Sequence, residues 1–171
     1  MDIIIRLIAD AAVIPVVVIG VWALVFKVPK ERRFESYSRV LMAGLTAYML
    51  AKLAGAVYQP SDLRPFEILG VDAGASYLNN PGFPSDHAVF VMAIACAVWF
   101  ETRMKRLSIV MFALVAVVCL GRVLALVHTP LDVVAGVAIA LIGSLWYSNV
   151  SRRGEIHGNG RSYSGQSKST S

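Results

Sequence analysis

Five stretches of this chain are apolar for long enough, or nearly so, to cross a hydrocarbon core of ~30 Å, which takes about 20 helical residues. They run from about Ile3 to Phe26, Tyr37 to Tyr58, Pro84 to Phe100, Leu107 to Val127 and Pro130 to Val150. Inside a bilayer every backbone N–H and C=O must be satisfied within the protein, and segments of this length do so as helices. Composition agrees. The chain is 57% hydrophobic and 16% charged, with a mean hydropathy of +0.64, whereas a soluble domain is roughly half apolar and a quarter charged. Disorder and a disulfide scaffold are excluded on the same grounds. Cys96 and Cys119 both lie inside apolar runs and read as small buried hydrophobes. The expected fold is therefore an all-α integral membrane bundle with five transmembrane helices, occupying residues 1–150. Residues 151–171 are rich in Ser and Gly and are expected to form a flexible polar tail.

The polar residues between the spans set an expected orientation. The formal net charge is +5, but the excess sits in short connecting segments and the tail. It is a topology signal, and nucleic-acid binding is not expected. Lys27 to Arg39 and Glu101 to Arg106 are basic, and the tail adds Arg152, Arg153, Arg161 and Lys168. Five spans place these regions on one side, which the positive-inside rule makes cytoplasmic. Trp22, Trp99, Trp146 and Tyr147 fall at the same ends, as an interfacial aromatic belt would. The first segment lacks the basic n-region and the small-x-small site of a signal peptide, so it reads as a span. Its Arg6 and Asp10 stand four apart on one helix face, a spacing for pairing near the interface.

The unusual polar residues collect at the opposite, outer ends of the later spans. Arg64-Pro65-Phe66 lies in the long loop Gln59 to Pro84, and Pro84-Ser85-Asp86-His87 opens the third span. Arg122 sits five residues inside the outer end of the fourth, ~8 Å deep at 1.5 Å per residue, and His128 and Asp132 flank Pro130 where the fifth begins. Proline favours the first helical turn, so Pro84 and Pro130 are expected to start helices at one membrane face. Helix starts offer free N–H groups and partial positive charge to a phosphate, and Ser85 adds a hydroxyl donor. If the turn is helical, His128 and Asp132 share a face, and the carboxylate orients one imidazole nitrogen while the other attacks. Arg64 and Arg122 supply planar, permanently charged forks that match phosphate oxygens. This is a phosphoryl-transfer site with a histidine nucleophile, no evident metal ligands and no cofactor. Singly, each residue has a blander reading, such as snorkelling to the interface or a structural hydrogen bond. Their joint placement on one face favours chemistry.

Arg64-Pro65, the run PSDH at Pro84 to His87, and Arg122-x5-His128-x3-Asp132 resemble the three motifs of the type-2 phosphatidic acid phosphatase superfamily, usually written K-x6-R-P, P-S-G-H and S-R-x5-H-x3-D. The resemblance covers roughly Lys52 to Gly136. It implies that His128 is the nucleophile, Asp132 its orienting partner and His87 the general acid. It also implies that Arg64, Arg122 and Ser85 hold the phosphate, with Lys52 as a further cation. Three positions depart from the pattern. Val57 stands where the lysine is expected, so Lys52 serves only if the second span ends close to the site. Gly121 replaces the serine before Arg122, and Asp86 replaces the glycine of P-S-G-H, which sets a carboxylate beside the phosphate unless it points away or caps the helix. The PSDH form with RPF upstream is similar to bacterial undecaprenyl-diphosphate phosphatases. It implies a polyprenyl diphosphate substrate at the outer leaflet of a bacterial cell membrane. The enzyme alternatives are a phosphatidylglycerophosphate or phosphatidic acid phosphatase and a lipid phosphotransferase. The non-enzyme alternative is an anion-binding transporter or assembly partner. The long loop is expected to act as a lid or lipid gate.

Overall fold

The structure, a computed structural model, describes residues 3–61, 63–77 and 82–148. The polar tail 151–171 and the expected end of the last span at Val150 lie outside the described residues. Among the described residues every regular element is helical. Helix α1 (Val13–Lys27) is extended at its start by a π-helical turn, Leu7–Ala11, and a helical turn, Ile3–Arg6. A basic 3-10 turn, Lys30–Arg32, leads into α2 (Arg33–Val57). A short α3 (Pro65–Leu69) interrupts the long loop, and α4 (Asp86–Glu101), α5 (Lys105–Leu124) and α6 (Pro130–Gly143) follow. The last of these runs on into a 3-10 turn, Ser144–Tyr147.

Four of these helical runs are long and apolar enough to span a membrane: Leu7–Lys27, Lys30–Val57, Lys105–Leu124 and Pro130–Tyr147. The remaining expected span is α4, which has 16 residues, or about 24 Å at 1.5 Å per residue. It is the central helix and packs on α1, α2, α5 and α6. Protein surrounds most of it, which explains why its buried residues occupy nearly every turn, from Ala88 to Glu101. Side chains such as Leu45, Ile109 and Leu141 on the outer helices are exposed, as a lipid-facing surface requires.

The two ends of the bundle differ in kind. At the basic end, Arg39 grips Glu101 through Nε and Nη2 at 2.7 and 2.9 Å, tying α2 to α4. That fork geometry is the strong form of a carboxylate pair. Lys27 lies over Trp22 at 5.0 Å and Lys105 over Trp99 at 3.9 Å, so cations and aromatic rings meet at this level. At the other end, the loop after α2 docks on the turn between α5 and α6. The Phe66 N–H donates to Leu126 O and the Gly74 N–H to Ala125 O, both at 3.0 Å. Phe66 and Ala75 pack with Ala9, Ala125 and Val127 beneath.

Close approach of α6 to the start of α4 depends on Gly136. A Cβ there would lie 2.8 Å from Ser85 O, 3.0 Å from the Ala88 Cβ and 3.3 Å from Val89 N. Because the obstacles are backbone and a Cβ, neither can rotate away. Gly136→Ala is expected to destabilise the protein by about 1–3 kcal/mol, the usual cost of overpacking. It should also lower activity through the displaced α4 start. A Tm and specific activity equal to wild type would contradict this packing.

Candidate active site

Three helix ends and one turn meet at the polar end of the bundle around a cavity of about 190 Å³. Lys52, Arg64, Asp86, His87, Arg122 and His128 all line it. Residues as far apart in the chain as Lys52 and His128 thus face one space.

His128 and Asp132 meet by a different route from the one expected. Thr129 is the N-cap of α6, with φ −80° and ψ 161°, so the residues from His128 onward do not begin on a helical face. Pro130 follows at the first helical position. The Thr129 hydroxyl accepts the Asp132 N–H at 3.2 Å, and the Asp132 carboxylate accepts the Thr129 N–H at 2.7 Å. This capping box fixes the carboxylate, and the extended Thr129 swings His128 back over it. Asp132 Oδ2 then lies 3.6 Å from His128 Nδ1. That is longer than a hydrogen bond, and His128 Nδ1 is buried with no hydrogen-bond partner. Burial pushes the His128 imidazole below its ordinary range, and the cations Arg122 and Arg64 push the same way while Asp132 opposes them. Neutral imidazole, the form that can attack, is thereby favoured.

Pro84 does not start α4. Ser85 is the N-cap and Asp86 the first helical residue, leaving Pro84 one position outside. Ser85 stays outside the helix because its backbone is extended, with φ −69° and ψ 111°, and its N–H donates to Asp132 O at 3.0 Å. Ser85 Oγ makes no capping hydrogen bond and is fully buried without a partner. A buried hydroxyl left this way is uncommon in a settled structure.

Arg64 sits just ahead of α3, 6% exposed, and its Nη1 donates to Val127 O. Its guanidinium lies 5.3 Å from the Tyr77 ring, and its own N–H donates to Glu67 at 2.6 Å. Burial lowers the Arg64 pKa, against the opposing charges of Asp132 and Glu67. Gly82 closes the space between these groups, since a Cβ there would be 3.5 Å from each of Arg64 Nη1, Asp132 Oδ2 and His128 Nδ1.

Lys52 does reach the cavity, because α2 ends only five residues later, at Val57. Its Nζ lies 3.0 and 3.1 Å from the two oxygens of Asp86. Asp86 therefore neither points away nor caps its helix through a side-chain bond; it pairs with Lys52 at the cavity wall. Two departures from the resembling motifs thus compensate one another. Arg122 is 1% exposed and lies in the last turn of α5, closer to the helix end than expected because α5 stops at Leu124. Its partner is Asp10, at 3.2 Å, and this corrects the expected pairing of Asp10 with Arg6. The π-helical turn changes the angular spacing along this stretch, so Asp10 faces α5.

Sequence reasoning missed Asp10, Glu67, Tyr77 and Gly82 as members of this constellation. Only Asp10 carried a signal, an acidic residue inside an apolar segment. Among the described residues no group of three or more His, Cys, Asp or Glu could hold a metal ion. The family described as the PAP2 superfamily matches residues 36–155. Comparison with curated proteins and with solved structures returns no match.

Proposed function

The chain belongs to the PAP2 superfamily, and we propose that it hydrolyses a polyprenyl diphosphate of the undecaprenyl type to the monophosphate through a phosphohistidine on His128. It is a multi-pass membrane protein of a phosphatase family that acts on phosphorylated lipids. The convergence of two histidines and three cations on one cavity supports the phosphohistidine chemistry, and the PSDH and RPF runs support the polyprenyl diphosphate. At about 190 Å³, it is smaller than the ~300–1,000 Å³ of a pocket that encloses a drug-sized ligand. It suits a phosphate headgroup whose hydrocarbon tail stays in the bilayer.

In the proposed mechanism, Arg64 and Arg122 hold the terminal phosphate with the Ser85 hydroxyl. His128 Nε2 attacks phosphorus in line, since Nδ1 is turned toward Asp132. The P–O bond to the leaving group breaks as His87 protonates that oxygen. Water then attacks the phosphohistidine at phosphorus, His87 takes the water proton, the P–N bond breaks to restore the His128 imidazole, and inorganic phosphate leaves. Charge stabilisation comes from guanidinium groups and the α4 start, with no metal step.

Phosphate release from undecaprenyl diphosphate, phosphatidic acid and phosphatidylglycerophosphate in the same micelles tests this reading. The highest kcat/KM is expected for undecaprenyl diphosphate, unchanged by excess chelator. A clear preference for a glycerolipid would replace the substrate and keep the reaction class. Absence of turnover with every lipid, together with tight anion binding, would favour the transporter or assembly reading.

The site is proposed to face outward from a bacterial cell membrane, because it lies at the end opposite the basic loops and the Lys–Trp pairs. A cysteine at exposed Asp72, in the loop after α3, should react with an impermeant thiol reagent on intact cells. One at exposed Glu31, at the basic end, should react only after permeabilisation. The reverse pattern would put dephosphorylation on the cytoplasmic leaflet.

A further inference from the structure

The helical run that contains Asp10 precedes the segment matched by the family, residues 36–155, yet it delivers a carboxylate to the phosphate-binding arginine. Asp10 sits in the π-helical turn Leu7–Ala11, a distortion frequent at functional sites. Its Oδ1 accepts from Arg122 Nη1 at 3.2 Å and from the Ser76 hydroxyl at 2.8 Å. Its Oδ2 accepts the Ser76 N–H at 3.0 Å. Arg122 Nη2 closes the ring by donating to Ser76 O at 2.9 Å. One edge of the guanidinium is thereby fixed by two partners from different parts of the chain. Its Nε is buried with no hydrogen-bond partner, while the side chain lines the cavity.

A second observation explains how the turn comes so close. Gly121, next to Arg122, faces the backbone of the same turn. A Cβ there would lie 2.9 Å from Ile8 Cγ2, 3.0 Å from Ala9 N and 3.1 Å from Ala9 Cα. The serine that the resembling motif carries at this position does not fit without moving that backbone. The glycine and the carboxylate therefore belong to one arrangement: Gly121 admits the turn, and the turn presents Asp10 to Arg122.

We propose that Asp10 is a positioning residue for the phosphate-binding Arg122, fixing the guanidinium from the N-terminal helix through a ring that includes Ser76, and that Gly121 is the space this requires. The inference rests on the phosphatase reading for its effect on turnover. Asp10 does not touch the substrate. It holds the plane of Arg122 and balances its buried charge, so that the fork is already aimed when phosphate arrives.

The test compares wild type, Asp10→Asn, Asp10→Ala, Gly121→Ala, Arg122→Ala and Asp10→Ala/Arg122→Ala as purified full-length proteins. Asp10→Ala should lower kcat/KM by about 10- to 100-fold, the scale expected when a charged group is slightly misplaced. Asp10→Asn, which keeps the shape and one neutral acceptor, should lose less and serves if the alanine variant does not fold. In the Arg122→Ala background the further loss from Asp10→Ala should shrink to about threefold or less, because its target is gone. Gly121→Ala changes no charge and should reproduce part of the Asp10→Ala loss. Equal factors in both backgrounds would overturn the proposal, as would a Gly121→Ala enzyme with wild-type kcat/KM. Vanadate binding by calorimetry reads the same claim without turnover, with affinity expected to fall about tenfold in Asp10→Ala. If wild type binds vanadate but hydrolyses no lipid, the phosphatase reading fails and the vanadate comparison still decides the role of Asp10. Unchanged vanadate affinity in Asp10→Ala overturns the positioning role, and a wild type that neither binds vanadate nor turns over overturns both.

Discussion

His128→Ala is expected to lower kcat by about 10⁴-fold or more while the protein stays folded, because the proposed covalent intermediate forms on its imidazole. The imidazole is 5% exposed and makes no hydrogen bond through Nδ1, so its removal leaves a small cavity and no broken network. Asp132→Asn should lose less, about 10²- to 10³-fold, since the histidine remains and only its orientation and charge support suffer. An asparagine oxygen can still accept the Thr129 N–H, so the α6 cap survives and the loss reports on His128. The pH profile gives an independent sign. Burial and the two arginines place the His128 pKa below its usual range, so neutral imidazole persists to more acid pH. The acid limb of kcat/KM belonging to this group should lie below the ordinary value of ~6.5. Asp132 opposes that shift, so in Asp132→Asn the same limb should move further down. Near wild-type turnover in His128→Ala, or an acid limb that rises in Asp132→Asn, would remove His128 from the nucleophile role.

Those expectations depend on features of unequal visibility in the sequence. The helical class and the placement of the polar residues at one end follow from hydropathy and loop charge, because a bilayer leaves so few alternatives. Arg64, His87, Arg122 and His128 at one end follow from the same reasoning, since the last three fall near the ends of apolar runs and Arg64 in the loop on the same side. Local geometry was less legible. The pairing of His128 with Asp132 reads from spacing as a shared helical face. The competing interaction was the Thr129 cap, which starts α6 at Pro130, two residues after His128, and brings the two side chains together through a bend. Pro84 reads as a helix start, but the Ser85 backbone is extended and the helix begins at Asp86. Arg6 and Asp10 read as an i, i+4 pair, and the π turn broke that register. Each miss comes from one hydrogen bond or one extra residue in a turn, on a scale that composition and periodicity do not resolve.

The same local detail decides what Arg122→Lys should do. A lysine keeps the positive charge, so if the site needs only a cation here, activity should survive. The geometry requires more. Arg122 uses Nη1 for Asp10 and Nη2 for Ser76 O, and it faces the cavity at the same time. A single ammonium cannot serve partners on several sides in fixed directions, whereas a guanidinium does so with five donors in one plane. At 1% exposure there is also little water to make up the difference. Arg122→Lys is therefore expected to lose about 10²- to 10³-fold in kcat/KM, the scale of removing one preorganised donor from a developing oxyanion. Lys52 offers the contrast. Its side chain is 45% exposed and its charge is already shared with Asp86, so Lys52→Arg should be tolerated far better. Steady-state kinetics of the two swaps, in the same micelles and against the same substrate, separate the alternatives. Similar small losses in both would mean that the site reads charge alone, and that the fork of Arg122 contributes no direction to the phosphate it holds.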